Sequence, residues 1–378
     1  VNGKEYIYFS GNSLGLQPKK SISSVLSELA DWKSYAVLGH HKDKMPWFSF
    51  HEFLTKEMAS IVGARNNEVV VMNSLTVNLH LLMISFFVPV GGKKSIMIEQ
   101  GAFPSDTYAV KSHLRYHGLD PEKYLISIPY SNSVNRMIST ERILEYIDTY
   151  SNQTALVLLG GVNYYTGQLF DIQSITEIGH KYGCKVGFDL AHAAGNLKLN
   201  LHDWGVDFSA WCGYKYLNGG PGAPSGVFIH ERHLGRTDFP RFEGWWGHDK
   251  SSRLQMPENF KPLSTVEAWQ LSNPPILSMA ALLSSLEIFH EVGMSQLRQK
   301  SEKLTSYLEL LIKSELEEQI EIITPSSNQS RGCQLSLRLI QPNDIINTLH
   351  KRGIICDWRE PDVIRVAPVP LYNSFEDC

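Results

Sequence analysis

The chain has 378 residues, enough for a large core with a smaller domain beside it. Its 43% hydrophobic and 20% charged residues are ordinary for a globular protein. A net charge of −4 with no long basic run gives nucleic acid or an anionic membrane no electrostatic support.

The chain begins at Val1 rather than Met, which reads as a trimmed start and leaves a targeting peptide upstream open. Residues 9–16 form a turn-rich loop rather than a sheet strand. Compact apolar runs at 68–72, 95–99, 155–159, 185–189, 208–211 and 226–230 read as strands buried on both faces. Residues 77–87 read as a helix behind the first of them. The apolar stretch 79–90 is interrupted by His80 and Ser85 and closed by Pro89, so it falls short of the roughly 18–20 residues that span a bilayer. Residues 140–150 place Ile143, Leu144 and Ile147 on one helical face, and 171–182 do the same with Ile172, Ile175 and Ile178. This alternation predicts an α/β core with a mostly parallel sheet, which binds ligands at the carboxyl ends of its strands.

Beyond Pro274 and Pro275 the pattern changes. Helices at 276–291, 294–313 and 343–351 and extended pieces at 320–323, 334–339, 354–357 and 363–366 predict a small α+β domain. The expected division is 1–45 joining that small domain, 46–274 as the large domain, and 275–378 as an interdomain helix with the small domain. Cys184, Cys212, Cys333, Cys356 and Cys378 are irregularly spaced and contain no C-x-x-C. They argue for a reducing, cytoplasmic setting and against a disulfide framework or a zinc site.

Two residues carry the chemistry. Asp189 ends the apolar run Val-Gly-Phe-Asp (186–189), and Lys215 follows in Ser-Ala-Trp-Cys-Gly-Tyr-Lys-Tyr-Leu-Asn-Gly-Gly-Pro-Gly (209–222). A lone Lys is ordinarily solvated, but Trp211, Tyr214, Tyr216 and Leu217 surround this one, and burial frees an amine for imine formation. The pair suits a pyridoxal phosphate enzyme, with Lys215 on the cofactor aldehyde and Asp189 on the pyridine nitrogen. The alternative for Asp189 is a helix or turn cap. His192, with Ala191, Ala193, Ala194 and Gly195 around it, leaves room for a flat ring. Residues 73–76 (Asn-Ser-Leu-Thr) stand before a helix whose N-terminus would suit a phosphate, or Ser74 and Thr76 merely cap it. Phe103 before Pro104-Ser105-Asp106 could stack on a ring, or the segment is a plain strand-to-helix turn with Pro104 at its first helical position. Arg365 in an apolar segment needs a partner, either a substrate carboxylate or an internal acid. Cys333 raises a cysteine desulfurase as a rival, but it opens an alternating strand, which favours burial.

Taken together, the motifs resemble kynureninases, pyridoxal phosphate hydrolases of fold type I related to class V aminotransferases. The likeness runs through Tyr-Phe-Ser-Gly-Asn-Ser-Leu-Gly-Leu-Gln-Pro (8–18), Thr-Val-Asn-Leu-His-Leu-Leu-Met (76–83), Ala-Phe-Pro-Ser-Asp (102–106), Tyr-Tyr-Thr-Gly-Gln (164–168), Gly-Phe-Asp-Leu-Ala-His-Ala (187–193), Leu-His-Asp-Trp-Gly-Val-Asp-Phe (201–208), Ser-Asn-Pro-Pro-Ile-Leu (272–277) and Arg-Val-Ala-Pro-Val-Pro-Leu-Tyr-Asn-Ser-Phe (365–375). It implies hydrolysis of kynurenine or 3-hydroxykynurenine to anthranilate or 3-hydroxyanthranilate plus alanine, within tryptophan catabolism and NAD synthesis. It implies that Lys215 carries the cofactor and shuttles a proton, and that Asp189 pairs with the pyridinium beside His192. Phe103 would stack on the ring, with Pro104, Ser105 and Asp106 at cofactor contacts, and Leu75, Thr76 and Tyr214 would hold the phosphate. Arg365 would bind the α-carboxylate, and Tyr164 or Tyr165 would act as acid or base. His40, Ser272 and Asn273 would face the substrate ring in the version favouring 3-hydroxykynurenine. Trp245 and Asn273 would come from the second subunit of a homodimer with shared sites. Gly160 departs from a common Ser and Trp246 from a common Phe, the latter expected to narrow the pocket. The likeness also implies a terminal helix, whereas this sequence stops soon after Phe375, at Cys378.

Overall fold

A computed structural model describes residue 3 and residues 5–316, 318–341 and 345–378. Its centre is a seven-stranded sheet in the order Val69–Met72, Ser225–Ile229, Phe208–Trp211, Lys185–Asp189, Thr154–Gly160, Ser95–Glu99, Leu125–Ile128. Neighbours run parallel except at Ser225–Ile229, which is antiparallel to both of its partners. Every residue of Val69–Met72, Ser95–Glu99, Phe208–Trp211 and Ser225–Ile229 is buried, as strands covered on both faces require. One apolar layer includes Leu54, Val157, Phe188, Leu217 and Phe289, and the other includes Leu79, Phe86, Ile96, Leu156 and Phe208. The fold is therefore α/β with a mixed, mostly parallel sheet flanked by helices.

The strand and helix expectations hold closely, with differences that have local causes. Residue 68 was expected to open a strand. Instead Glu68 sits in a turn, where its buried carboxylate accepts from Arg65 N and Glu231 N at 2.8 Å each. The strand expected to reach His230 stops at Ile229, because the His230 ring accepts from Arg232 N and caps the next turn. Leu125–Ile128 went unread; it is a four-residue edge strand with exposed Ser127, too short to show an alternation.

The piece expected at 354–357 is two strands. Ile354–Ile355 pairs in parallel with Ile7–Tyr8, and Asp357–Arg359 pairs antiparallel with Val363–Val366. Buried Cys356 is the point where the chain changes partners. Val363–Val366 continues through Leu335–Leu339 to Ile320–Ile322, completing a four-stranded antiparallel sheet. Phe9 joins the core of this unit with Leu308, Leu335, Leu337 and Ile364. The last helix is described from Ile345 to Lys351; its expected first residue, Asn343, lies outside the described residues.

Helix Ile276–Val292 packs against both Ser21–Tyr35 and Glu52–Val62 and buries Met279, Leu282, Leu286 and Phe289. Among the described residues no single helix is long and apolar enough to cross a membrane. The pair Ile276–Val292 and Met294–Leu316 meets at 85°.

Candidate active site

Three adjacent parallel strands end together at Glu99, Gly160 and Asp189, and a cavity of about 360 Å³ opens over their carboxyl ends. It is lined by Leu75, Thr76, Phe103, Ser105, Asp106, Tyr164, Asp189, His192, Tyr214, Lys215 and Arg365 of the expected set. Pro104 begins the helix Pro104–Tyr116 that carries Ser105 and Asp106 to the wall.

Lys215 Nζ lies 3.1 Å from His192 Nε2 and 5.8 Å from the centre of the Phe103 ring. Burial, with the Lys215, Arg365 and Arg359 charges, holds His192 well below its ordinary pKa, so its ring is neutral and accepts from the lysine. Asp189 is fixed by Ala191 N, which donates to Oδ1 at 2.7 Å. Burial and the neighbouring Asp189 hold Asp106 well above the carboxylate range. Burial also raises Asp189, while the hydrogen bond from Asp106 and the Lys215 charge oppose it. The proton therefore sits on Asp106 and the negative charge on Asp189.

At the other end, helix Leu75–Phe86 starts from Ser74, whose side chain makes no capping bond. Its first-turn N–H groups are left to face the cavity, and Thr76 Oγ1 lies 2.8 Å from Ser105 Oγ. Burial raises the Tyr214 phenol far above its ordinary pKa, so it stays a hydrogen-bond donor. Arg365, 1% exposed, donates through Nε to Asp357 Oδ1 at 2.8 Å, through Nη2 to Asp357 Oδ2, and through Nη1 to Tyr164 O at 2.7 Å. An internal acid is thus present, and two of the five guanidinium hydrogens remain for another acceptor.

Cys333 is fully buried, its thiol pushed up to about 12 by burial, so it is no exposed nucleophile. All five cysteines are free. Among the described residues, two groups of His and Glu side chains elsewhere each have their ligand atoms within 4.8 Å of one another. In one, Glu68 is already shared by His202, Arg65 N and Glu231 N; in the other, Lys250 Nζ sits 2.6 Å from Glu267.

The backbone is similar to that of pyridoxal phosphate enzymes. It matches the cystine C-S lyase C-DES with a TM-score of 0.82, 17% identity, and coverage of 98% of this chain and 95% of that one. It matches an apo cysteine desulfurase from Thermococcus onnurineus NA1 with a TM-score of 0.78, 17% identity, and coverage of 98% and 92%. Residues 297–378 match the family model described as the kynureninase C-terminal domain. The sequence is 52% identical over 377 residues to the kynureninase of Myxococcus xanthus (strain DK1622), covering 100% of this chain and 88% of that protein. It is 51% identical over 381 residues to the kynureninase of Flavobacterium johnsoniae, covering 100% and 89%. The chain belongs to the kynureninase family. Its cofactor is pyridoxal 5'-phosphate, and the cavity fits that group. A buried acid with an unpartnered Oδ1 (Asp106), a free helix N-terminus, and an aromatic wall beside a lysine are the features it needs.

The remaining expected residues gather elsewhere. His40 packs its ring on Trp47 and Phe48 at 5.5 and 5.1 Å. Phe48 stacks on Trp246 at 5.4 Å and meets Trp245 at 6.5 Å. Trp246 N donates to Leu271 O at 3.3 Å, and Gly244 lies so close to Leu271 that a Cβ there would be 2.3 Å from its Cα. Exposed Ser272 and Asn273 follow Leu271 in the chain, and Trp245, which is 38% exposed, follows Gly244. None of these residues lines the cavity of the same chain. Trp246 was expected beside a substrate ring; instead it is fully buried between Phe48 and the Arg253 guanidinium, 4.6 Å away, with no face open. Tyr165 turns into a small cluster with Ile323 and Val363, its ring 4.2 Å from Arg136.

Glu99, Asn12, Ser13, Cys212 and Arg359 line the cavity without having been picked out. Asn12 and Ser13 sit in a motif that showed kinship but no chemistry, and only a long-range fold contact brings them here. Asn12 Nδ2 donates to Gln334 Oε1 at 3.0 Å.

Proposed function

We propose that this cavity is the catalytic centre for hydrolysis of the Cβ–Cγ bond of L-kynurenine or 3-hydroxy-L-kynurenine, with release of anthranilate or 3-hydroxyanthranilate and L-alanine. The observation that carries the reading is the Lys215–His192 contact over the Asp189–Asp106 pair, in a chain about half identical to kynureninases along its whole length.

Bound pyridoxal phosphate supplies an electron sink for negative charge at the substrate α-carbon. Lys215 would hold it and move the α-proton through Nζ, with neutral His192 accepting from that nitrogen and fixing its place. Asp189 keeps its negative charge for the ring nitrogen because Asp106 carries the shared proton. Leu75, Thr76 and Tyr214 would hold the phosphate end, with Ser105 Oγ 2.8 Å from Thr76 Oγ1 beside them, and Phe103 would form the ring's wall. Arg365 keeps two N–H directions for the α-carboxylate while Asp357 fixes its plane. Tyr164 would exchange a proton at the substrate γ-carbonyl, a role its position in the cavity lining supports; Tyr165 faces Arg136 instead.

His40, Trp245, Ser272 and Asn273 form one patch outside their own cavity, which supports a homodimer in which a second copy brings its patch to the mouth of this site. The division into 1–45, 46–274 and 275–378 belongs to the same reading, supported by Phe9 in the core of the small domain. Five free cysteines support a cytoplasmic setting.

The test compares fluorescent anthranilate release from kynurenine with sulfide release from cysteine. Anthranilate without sulfide is expected, and the reverse overturns the reading. His40→Ala and Asn273→Ala are expected to shift the ratio of turnover on the two kynurenines; an unchanged ratio in both removes them from ring recognition. Mixing inactive Lys215→Ala with inactive Trp245→Ala protein is expected to restore about a quarter of the parent activity through hybrid dimers. No recovery argues against shared sites.

A further inference from the structure

Glu99 and Asp189 stand on either side of Gly160 at the carboxyl edge of the sheet. Glycine places no side chain between the two acids. Glu99 is 4% exposed and lines the cavity, and both its oxygens accept from Gly160 N, at 3.2 and 3.3 Å. A Cβ at position 160 would lie 3.0 Å from Glu99 Oε1, so the carboxyl fills the space a side chain there would claim. Asp106 approaches from the first turn of helix Pro104–Tyr116, its Oδ1 buried and unpartnered.

The charged and titratable groups around Glu99 are therefore few. Asp189 faces it from the next strand but one, across Gly160, and Asp106 from the helix above, and Lys215 brings its cation to that carboxyl pair. Tyr130, beyond the edge strand Leu125–Ile128, feels the Glu99 charge from the outer side. Asp106 and Asp189 share Lys215 and Glu99 stands next to them, too little positive charge for all three carboxyls to ionise at once.

We propose that Glu99 is a positioning residue for the cofactor: held on the Gly160 N–H, its carboxyl sets how much negative charge the Asp106–Asp189 pair presents toward the ring nitrogen. The proposal rests on the reading that pyridoxal phosphate binds in this cavity. When Glu99 is protonated, Asp189 alone attracts the protonated ring. When Glu99 ionises, a second negative charge is added behind Asp189, and a cationic ring is held more tightly. Burial, and after it the Asp189 charge, pushes the Glu99 carboxyl up to about 7, against two backbone hydrogen bonds that lower it. The change of state thus falls near neutral pH.

The experiment measures pyridoxal phosphate Kd for the parent and for Glu99→Gln from pH 6 to pH 8.5, with the visible cofactor band followed alongside. Gln keeps an acceptor for Gly160 N–H and removes the titration. The ratio of variant Kd to parent Kd is expected to rise with pH, on the order of tenfold for coupling equivalent to one pH unit. A merely structural role changes Kd by the same factor at every pH, and a flat ratio overturns the proposal. Gly160→Ala supplies a second probe that does not depend on the Gln variant folding. Its methyl crowds Glu99 Oε1 and lengthens the contact with the N–H, so the midpoint of this variant's Kd profile is expected to lie above the parent's, and an unmoved midpoint also overturns the proposal. Borohydride is applied to parent and variants alike. Label at Lys215 with a flat ratio sinks only the role of Glu99, whereas no label in the parent sinks the cofactor reading along with it.

Discussion

Replacing Glu99 by Gln should make the cofactor-free protein more stable at alkaline pH and nearly unchanged at acid pH. The ordinary carboxyl value is 4.5 and Glu99 is raised to about 7 by burial. The folded chain therefore binds this proton more tightly than the unfolded chain. The group's contribution is fully present below 4.5 and is lost as pH rises through the window from 4.5 to about 7. At about 1.4 kcal/mol for each pH unit between the two values, the parent loses about 3 kcal/mol by pH 8 but only about 1 kcal/mol by pH 5. Gln has no proton to lose. Asp106 and Asp189 remain in both proteins, and the Asp189 charge is already one of the causes of the Glu99 shift. Urea unfolding at pH 5 and pH 8, fitted with a common slope, reads the difference directly. A variant that is equally displaced at both pH values, or less stable than the parent at pH 8, refutes the idea that burial of this carboxyl carries the cost.

Asp357→Ala leaves the buried Arg365 guanidinium with only Tyr164 O, so a loss of about 3–5 kcal/mol in urea unfolding is expected, together with a raised KM for kynurenine. Tyr164→Phe is expected to lower kcat by about a hundredfold while Tyr165→Phe leaves it within a few-fold, because only Tyr164 lines the cavity; stopped-flow product release distinguishes them. Native protein at pH 8 is expected to react with a thiol reagent at Cys378 at most, and slowly, since Cys184, Cys212, Cys333 and Cys356 are buried and the Cys378 thiol is itself pushed up to about 11. All five should react after denaturation, and fast labelling of Cys333 in the native state would reopen the desulfurase reading.

The sheet was legible because its strands are short apolar runs covered on both faces, and Lys185–Asp189, Ser95–Glu99 and Phe208–Trp211 match their expected bounds. Leu125–Ile128 was not, because an edge strand with one side open has no such run. Lys215 and Asp189 stood out because each breaks an apolar context that a charged residue avoids without a partner. Glu99 breaks its context in the same way, yet a Glu at the end of a strand reads as the start of a loop. Only the pairing of its strand beside Thr154–Gly160, with Asp189 one strand further on, shows that it faces the site. The patch of His40, Trp245, Ser272 and Asn273 was named through kinship alone. Its assembly depends on the Gly244–Leu271 contact, which nothing local in the sequence announces.

The most direct test is the lysine itself. Purified protein incubated with pyridoxal 5'-phosphate should gain a visible absorption band, lose it on borohydride treatment, and yield a single phosphopyridoxyl-modified peptide containing Lys215, while Lys215→Ala protein yields none. A protein that stays colourless, or one whose label falls on another lysine with Lys215 unmodified, contradicts the account.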